Sequence, residues 1–277
     1  MMDSKRCITM NCPLCESSDS HVLTMETSEV YQCNQCTLQY IDDKEFSKKK
    51  DYLKNYKKSR DENSVLGKLR KIQYSLDAEH LQKFISKGKV LDVGCSTGEF
   101  LLNLSRNSKL QLYGIDLDKD AISLAKKRYG SKIQFFNCDL INYQTNLKYD
   151  CIVFRGSFQF LGSDLSKTLK KISKIFSENF RVIIYGLPNS DSILYYFLKD
   201  KWNLFDKLSH TLIFNRRSIL KLCEIYNYKI LEFSYPYLET PYANLKDDYE
   251  SLIRLIRDGE KNSFPFYGNI MQIVLEK

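Results

Sequence analysis

The chain predicts an α/β fold: a Rossmann-like, doubly wound sheet, mostly parallel with an antiparallel last strand, preceded by a small zinc ribbon. Three observations carry this expectation. From Lys89 onward, apolar runs alternate with amphipathic stretches, the pattern of parallel strands joined by crossover helices. The stretch Val90-Leu91-Asp92-Val93-Gly94-Cys95-Ser96-Thr97-Gly98 reads as a buried strand, a glycine turn and a helix start, with Asp116 22 positions after Gly94. That is close to the separation at which a carboxylate meets a nucleotide ribose in doubly wound folds. Finally, Cys12-Pro13-Leu14-Cys15 and Cys33-Asn34-Gln35-Cys36 form two C-x2-C pairs 17 residues apart.

Taken in order, residues 1–43 are expected to hold a loose tail and the ribbon, whose short strands are His21-Val22-Leu23 and Val30-Tyr31-Gln32. Four thiolates at two tight turns suit tetrahedral zinc, and with Cys12, Cys15, Cys33 and Cys36 all as ligands no coordination position stays open, so the metal is expected to be structural. Residues 44–71 read as a basic, partly helical linker with eleven Lys or Arg. Residues 72–277 form the larger unit. It opens on an amphipathic helix from Ile72 to Ser86 with Ile72, Leu76, Leu81, Phe84 and Ile85 as its apolar positions. Strands are expected at 89–93, 110–115, 132–136, 149–154 and 180–186, with helices at 99–107, 118–129, 164–176 and 189–200. A helix at roughly 244–258 and strands at 228–233 and 267–275 close the unit.

Composition narrows the functional classes. The 277 residues are 43% hydrophobic, enough to bury a full core, and no apolar run is long enough to span a bilayer. The start lacks the apolar centre of a signal peptide, so a cytoplasmic protein without membrane insertion is expected. Nine cysteines without a secretion signal point to metal ligation plus buried thiols such as Cys95, Cys138 and Cys151, not to a disulfide scaffold. The net charge of +8 suits an anionic partner: a phosphorylated small molecule or, less well, nucleic acid.

The succession of motifs resembles the class I S-adenosylmethionine-dependent methyltransferases over residues 72–277. Residues 90–98 are similar to that family's first motif, Tyr113-Gly114-Ile115-Asp116-Leu117-Asp118 to its second-strand motif, and Phe135-Phe136-Asn137-Cys138-Asp139-Leu140 to the motif framing the adenine. Tyr149 to Gly156 resembles the fourth strand and the loop beyond it. The resemblance implies S-adenosyl-L-methionine as cofactor. Asp92 would help hold the ammonium of its methionine end, Gly94 and Gly98 would let the backbone approach closely, Asp116 would accept from the ribose hydroxyls, and Asp139 and Leu140 would frame the adenine; Cys95, Ser96 and Leu117 would also bind the cofactor, and Arg155 would contact cofactor or substrate. A dinucleotide fits less well, because the three-glycine fingerprint is incomplete: Ser96 stands where many members of the family have a glycine.

A narrower resemblance, carried by the ribbon, Phe154 to Leu161, Gly186 to Ser192, Trp202 and Ser209 to Phe214, is to methyltransferases of bacterial surface-polysaccharide clusters. It implies a small anionic, sugar-linked acceptor. Phe160 takes the place of a histidine those relatives often carry, so the general base is expected elsewhere. Of three histidines, His210 is the candidate base or substrate contact, with Gln159 as a second group orienting the substrate; His21 and His80 read as structural. Tyr195, Tyr196 and Trp202 are candidates for a sugar-stacking wall. An RNA methyltransferase, a ubiquinone-type O-methyltransferase and a non-catalytic zinc-ribbon scaffold remain the alternatives.

Overall fold

The computed structural model describes residues 11–25, 29–41, 64–202, 204 and 211–277. Its first part is a ribbon of three short antiparallel strands, β1 (Ser20–Thr24), β2 (Glu29–Cys33) and β3 (Gln39–Tyr40). Helix α1 (Val65–Gln82) follows, started by the Ser64 hydroxyl, which accepts the Gly67 N–H at 3.0 Å. Then come β4 (Gly88–Val93), α2 (Glu99–Leu104), β5 (Leu110–Asp116), α3 (Lys119–Tyr129), β6 (Ile133–Asn137) and β7 (Tyr149–Arg155). The remaining elements are α4 (Leu165–Ile172), β8 (Phe176–Pro188), α5 (Ile193–Leu198), β9 (Leu212–Ile213), α6 (Arg216–Tyr226), β10 (Lys229–Ser234), α7 (Leu245–Asp258) and β11 (Ile270–Glu276).

Seven strands form one sheet in the order β10-β11-β8-β7-β4-β5-β6. Strands β6, β5, β4, β7 and β8 run parallel, while β11 lies antiparallel between β8 and β10. Val90, Leu91, Cys151, Ile152, Val153 and Phe154 are all buried, as strands covered on both faces require. Chain order reverses at β4, whose neighbours are β5 on one side and β7 on the other. A crevice for a ligand forms at such a switch point, outside the carboxyl ends of the strands.

Several boundaries differ from those expected, each for a local reason. Helix α1 starts at Val65 and buries Gly67, Asp77, Ala78 and Leu81, whereas Ile72 and Leu76 are 50% and 38% exposed. Its inner face carries Asp77, whose ion pair is described below, beside the apolar Ala78 and Leu81. Helix α4 stops at Ile172, and β8 begins at Phe176, where the chain pairs with Tyr149. Helix α5 is held to Ile193–Leu198 because Ser192 caps it and Asn189 is drawn into a β-bridge with Phe214. Helix α6, absent from the expected elements, is fixed by a capping box between Asn215 and Ser218 and buries Ile219, Leu222 and Cys223 at helical spacing.

The ribbon shares its sheet and its core with the larger unit. Strand β9 pairs with β3, Gln39 opposite Ile213 and Tyr40 opposite Leu212, completing a four-stranded sheet. Leu14, Leu38 and Tyr40 lie in one apolar cluster with Phe158, Phe214, Ile219 and Leu222. A further cluster joins Val30 and Ile41 to Leu194, Tyr195, Leu198, Trp202 and Leu255.

Candidate active site

The site begins where β4 ends. Asp92 is the last-but-one residue of that strand, between Gly114 of β5 and Val153 of β7, and its side chain is 2% exposed. One of its carboxylate oxygens, Oδ1, is buried without a hydrogen-bond partner. Burial pushes its pKa up to about 7, against the opposing pull of Arg155, and Asp116 pushes it further up. A buried carboxylate with an unpartnered oxygen is set up to receive a cation or a donor from a ligand.

The turn after β4 shapes the approach. The Gly94 and Cys95 N–H groups both donate to Ile115 O, at 2.8 and 3.0 Å. Gly94 has φ +84°, and a Cβ there would come within 2.7 Å of the Ser157 side chain. Ser157 itself, a site residue the sequence reading did not single out, donates its hydroxyl to Val93 O and closes the turn from the β7 side. Ser96 occupies the left-handed region at φ +50°, and its N–H donates to Asp116 Oδ2 at 2.8 Å. That bond supports a conformation a serine rarely adopts unaided. Asp116 Oδ1 accepts from Asp118 N, so the ribose candidate also fixes the loop carrying the exposed Leu117. Cys95 is buried, and desolvation keeps its thiol well above the usual range.

The other expected positions fall as follows. Asp139 accepts from Asn142 N at 2.7 Å and Asn142 Nδ2 at 2.8 Å, so it caps the turn after β6, while Leu140 beside it is buried. Arg155, at the end of β7, directs its Nε at Asp77 Oδ2 of α1 (2.7 Å) and lies over the Tyr74 ring at 4.1 Å. Gln73 supports the same acid through Asp77 Oδ1. Asp77 was missed in the sequence, although an acid on the inner side of an amphipathic helix is itself a signal of a buried partner.

Gln159 sits on a single turn after β7, 4% exposed; its Nε2 donates to Gly156 O, and its Oε1 is buried without a partner. Ser190 Oγ, after β8, and Asn269 Oδ1, before β11, are likewise buried and unpartnered, and Asn189 N donates to Asn269 O nearby. His210 and residues 44–63 of the basic segment lie outside the described residues. His80 bonds Tyr185 OH at 2.9 Å and Glu232 at 3.0 Å, tying α1 to the sheet. His21 bonds Asn34 at 2.7 Å within the ribbon. The stacking-wall expectation fails for Tyr195 and Trp202: they are 3% and 1% exposed and pack on each other at 5.5 Å, so they belong to the core, while Tyr196 is exposed.

In the ribbon, the four sulfurs of Cys12, Cys15, Cys33 and Cys36 lie within 4.8 Å of one another, with two pairs at 3.5 Å. Ligands at ~2.3 Å around a tetrahedral zinc would place sulfurs roughly 3.8 Å apart, so the cluster fits such a cation. Packed this closely, four thiolates would repel one another, and a divalent cation removes that repulsion.

Residues 90–179 match the family model described as a methyltransferase domain. The 1,6-didemethyltoxoflavin-N1-methyltransferase of Burkholderia thailandensis, solved with S-adenosylhomocysteine, shares the fold at a TM-score of 0.56 and 12% identity, covering 94% of this chain and 99% of that chain. The fold is thus the Rossmann-like one of that enzyme, and residues 90–179 within it are similar to a methyltransferase domain. Among curated relatives, the carboxy-S-adenosyl-L-methionine synthase of Campylobacter hominis is 36% identical over 80 residues, 27% of this chain and 33% of that protein. The malonyl-(acyl-carrier protein) O-methyltransferase 1 of Ilyobacter polytropus is 24% identical over 239 residues, 72% of this chain and 85% of that protein. The chain spans only 33% of the length of the first of these relatives. Among the described residues no helix is long and apolar enough to cross a membrane.

Proposed function

We propose that this chain transfers the methyl group of S-adenosylmethionine to a small, sugar-linked acceptor, with zinc in the ribbon as a structural ion, in the cytoplasm. The observation that carries the reading is Asp92: a fully buried carboxylate with an unpartnered oxygen, at the carboxyl end of the strand where chain order reverses. The ammonium of the donor's methionine end supplies the missing charge and hydrogen bonds. Asp116 accepts from the ribose, and Asp139 and Leu140 frame the adenine. The methyl passes from sulfonium sulfur to an acceptor atom in line, which demands alignment above all, and an oxygen acceptor also gives up a proton to a base. Gln159 is assigned to orienting the acceptor and His210 to receiving that proton.

The sugar-linked acceptor is favoured by the character of the unpartnered groups on the β7 and β8 side. Gln159 Oε1 and Asn269 Oδ1 are acceptors and Ser190 Oγ can accept, so they call for hydroxyl or amine donors on the substrate. The excess of Lys and Arg suits a diphosphate on the same molecule.

Calorimetric titration with S-adenosylmethionine tests the donor half: binding is expected, with loss of about two orders of magnitude in affinity in Asp116→Ala, the scale of two lost charge-assisted hydrogen bonds. No binding by the unaltered chain overturns the reading. Labelled donor with a panel of nucleotide sugars tests the acceptor half. Transfer confined to free-carboxylate acceptors, or steeply salt-dependent transfer to RNA, overturns the sugar assignment.

A further inference from the structure

The loops that carry Gln159 and Ser190 are both tied to the ribbon. On the β7 side, Thr211 donates its hydroxyl to Gln159 O at 3.3 Å, and Thr211 O in turn accepts from Ile41 N of the ribbon at 3.1 Å. Leu212 and Ile213 then pair with β3. On the β8 side, Ser190 N donates to Phe214 O at 2.8 Å, and Asp191 Oδ1 accepts from Asn215 Nδ2 at 3.2 Å. Tyr195 OH donates to Gln39 Oε1 of β3. The short segment 211–215 therefore stands between the ribbon and both loops.

Another link runs through the second cysteine knuckle. Thr37 follows Cys36 directly and sits at φ +61°, a left-handed conformation that is a true outlier for a β-branched residue. The knuckle holds it there: Thr37 N donates to Cys33 O at 2.9 Å, and Cys33 N donates to Leu38 O at 3.0 Å. In that position the Thr37 hydroxyl shares its one proton between Cys36 O (2.7 Å) and Asn215 Oδ1 (3.0 Å). Asn215 Oδ1 also accepts Ser218 N at the start of α6, and its Nδ2 reaches Asp191. One side chain thus joins the metal knuckle, a helix start and the loop after β8.

We propose that the ribbon is a positioning device for the acceptor side: its second knuckle, through Thr37 and Asn215, holds the loop that presents Ser190, while Ile41 and Thr211 tie in the loop that presents Gln159. The inference rests on the methyl-transfer reading above. It assigns the metal a role in the reaction's geometry without contact to the reacting atoms, and it makes Thr37 a positioning residue.

The test uses the full zinc-loaded chain, S-adenosylhomocysteine as a probe of the donor side, and amide hydrogen exchange. The single tryptophan, Trp202, buried among Val30, Ile41 and Tyr195, supplies a fluorescence signal at the junction. Thr37→Val is expected to keep one zinc per chain and an unchanged Kd for the probe. Its exchange across 189–198 and 216–219 should rise about fivefold or more, on the scale of one lost buried hydrogen bond, with a red shift of Trp202 emission. Thr37→Ser, which restores the hydroxyl, should return both signals. Exchange in Thr37→Val that rises only within residues 11–41, or a Thr37→Ser protein that behaves like Thr37→Val, overturns the proposal. Failure of the unaltered chain to bind the probe, with the exchange coupling intact, would instead overturn the methyl-transfer reading and leave the coupling standing.

Discussion

At Asp92 a single carboxylate carries two consequences that pH separates. Its pKa in the folded chain is raised from 3.8 to about 7 by burial, so between those values the folded state holds more protons than the unfolded state. Stability linked to this group is therefore complete below about pH 4 and is lost as pH rises through about 7, by at most roughly 4 kcal/mol. Asp92→Asn should remove that slope and raise the melting temperature of the ligand-free chain at pH 8, as thermal unfolding across pH 5–8 would measure. Binding of an ammonium-bearing ligand has the opposite dependence, because it selects the ionised form. The affinity for S-adenosylhomocysteine is expected to fall about tenfold per unit below pH 7, with proton release visible in calorimetry, and Asp92→Asn should bind weakly at every pH. Gly94→Ala should cost about 2 kcal/mol or more in denaturant unfolding, since it combines a left-handed φ with a 2.7 Å contact to Ser157. Asp92, Gly94 and Asp116 were legible in the sequence because their spacing follows from strand length and turn geometry. Ser157 and Asp77 were not, because each acts through a partner 64 or 78 positions away.

At the scale of elements, α1 shows how a charge can outrank apolar periodicity. Its helical character was legible in the spacing of Leu76, Leu81 and their neighbours, yet the face it buries is the one bearing Asp77. Arg155 meets that acid with side chains only 19% and 5% exposed. Breaking such a pair leaves an uncompensated buried charge. Arg155→Met is expected to lose about 3 kcal/mol in denaturant unfolding, and adding Asp77→Asn should recover much of it. Equal losses in the single and double variants would show that packing, not charge, holds α1. Helix α6 was open to the same reading, with Ile219, Leu222 and Cys223 at i, i+3 and i+4 after an Asn cap. By contrast, the early end of α4 and the long β8 depend on Phe176 finding Tyr149, a pairing no local pattern announces.

At the scale of the whole molecule, the ribbon cysteines lie in the same apolar cluster as Phe158, Phe214 and Leu222. Metal removal should therefore reach far beyond the knuckles. Calorimetric unfolding of the metal-loaded chain is expected to show one cooperative transition, lowered by several kcal/mol on chelation, with Cys33→Ser matching the chelated form. Two independent transitions, the upper one unmoved by chelation, would show that the ribbon is a separate body. The sequence by itself determined the parallel sheet, the glycine turn after its first strand and the four-cysteine cluster. Each of these rests on local rules: two- and 3.6-fold periodicity, glycine's access to left-handed φ, and thiolate spacing. Only the tertiary structure decided that β9 would complete the ribbon's sheet, that Asp77 would claim Arg155, and that Thr37 would reach Asn215. Those contacts join residues 78 to 178 positions apart, where hydrogen bonding and burial are settled by how whole elements pack.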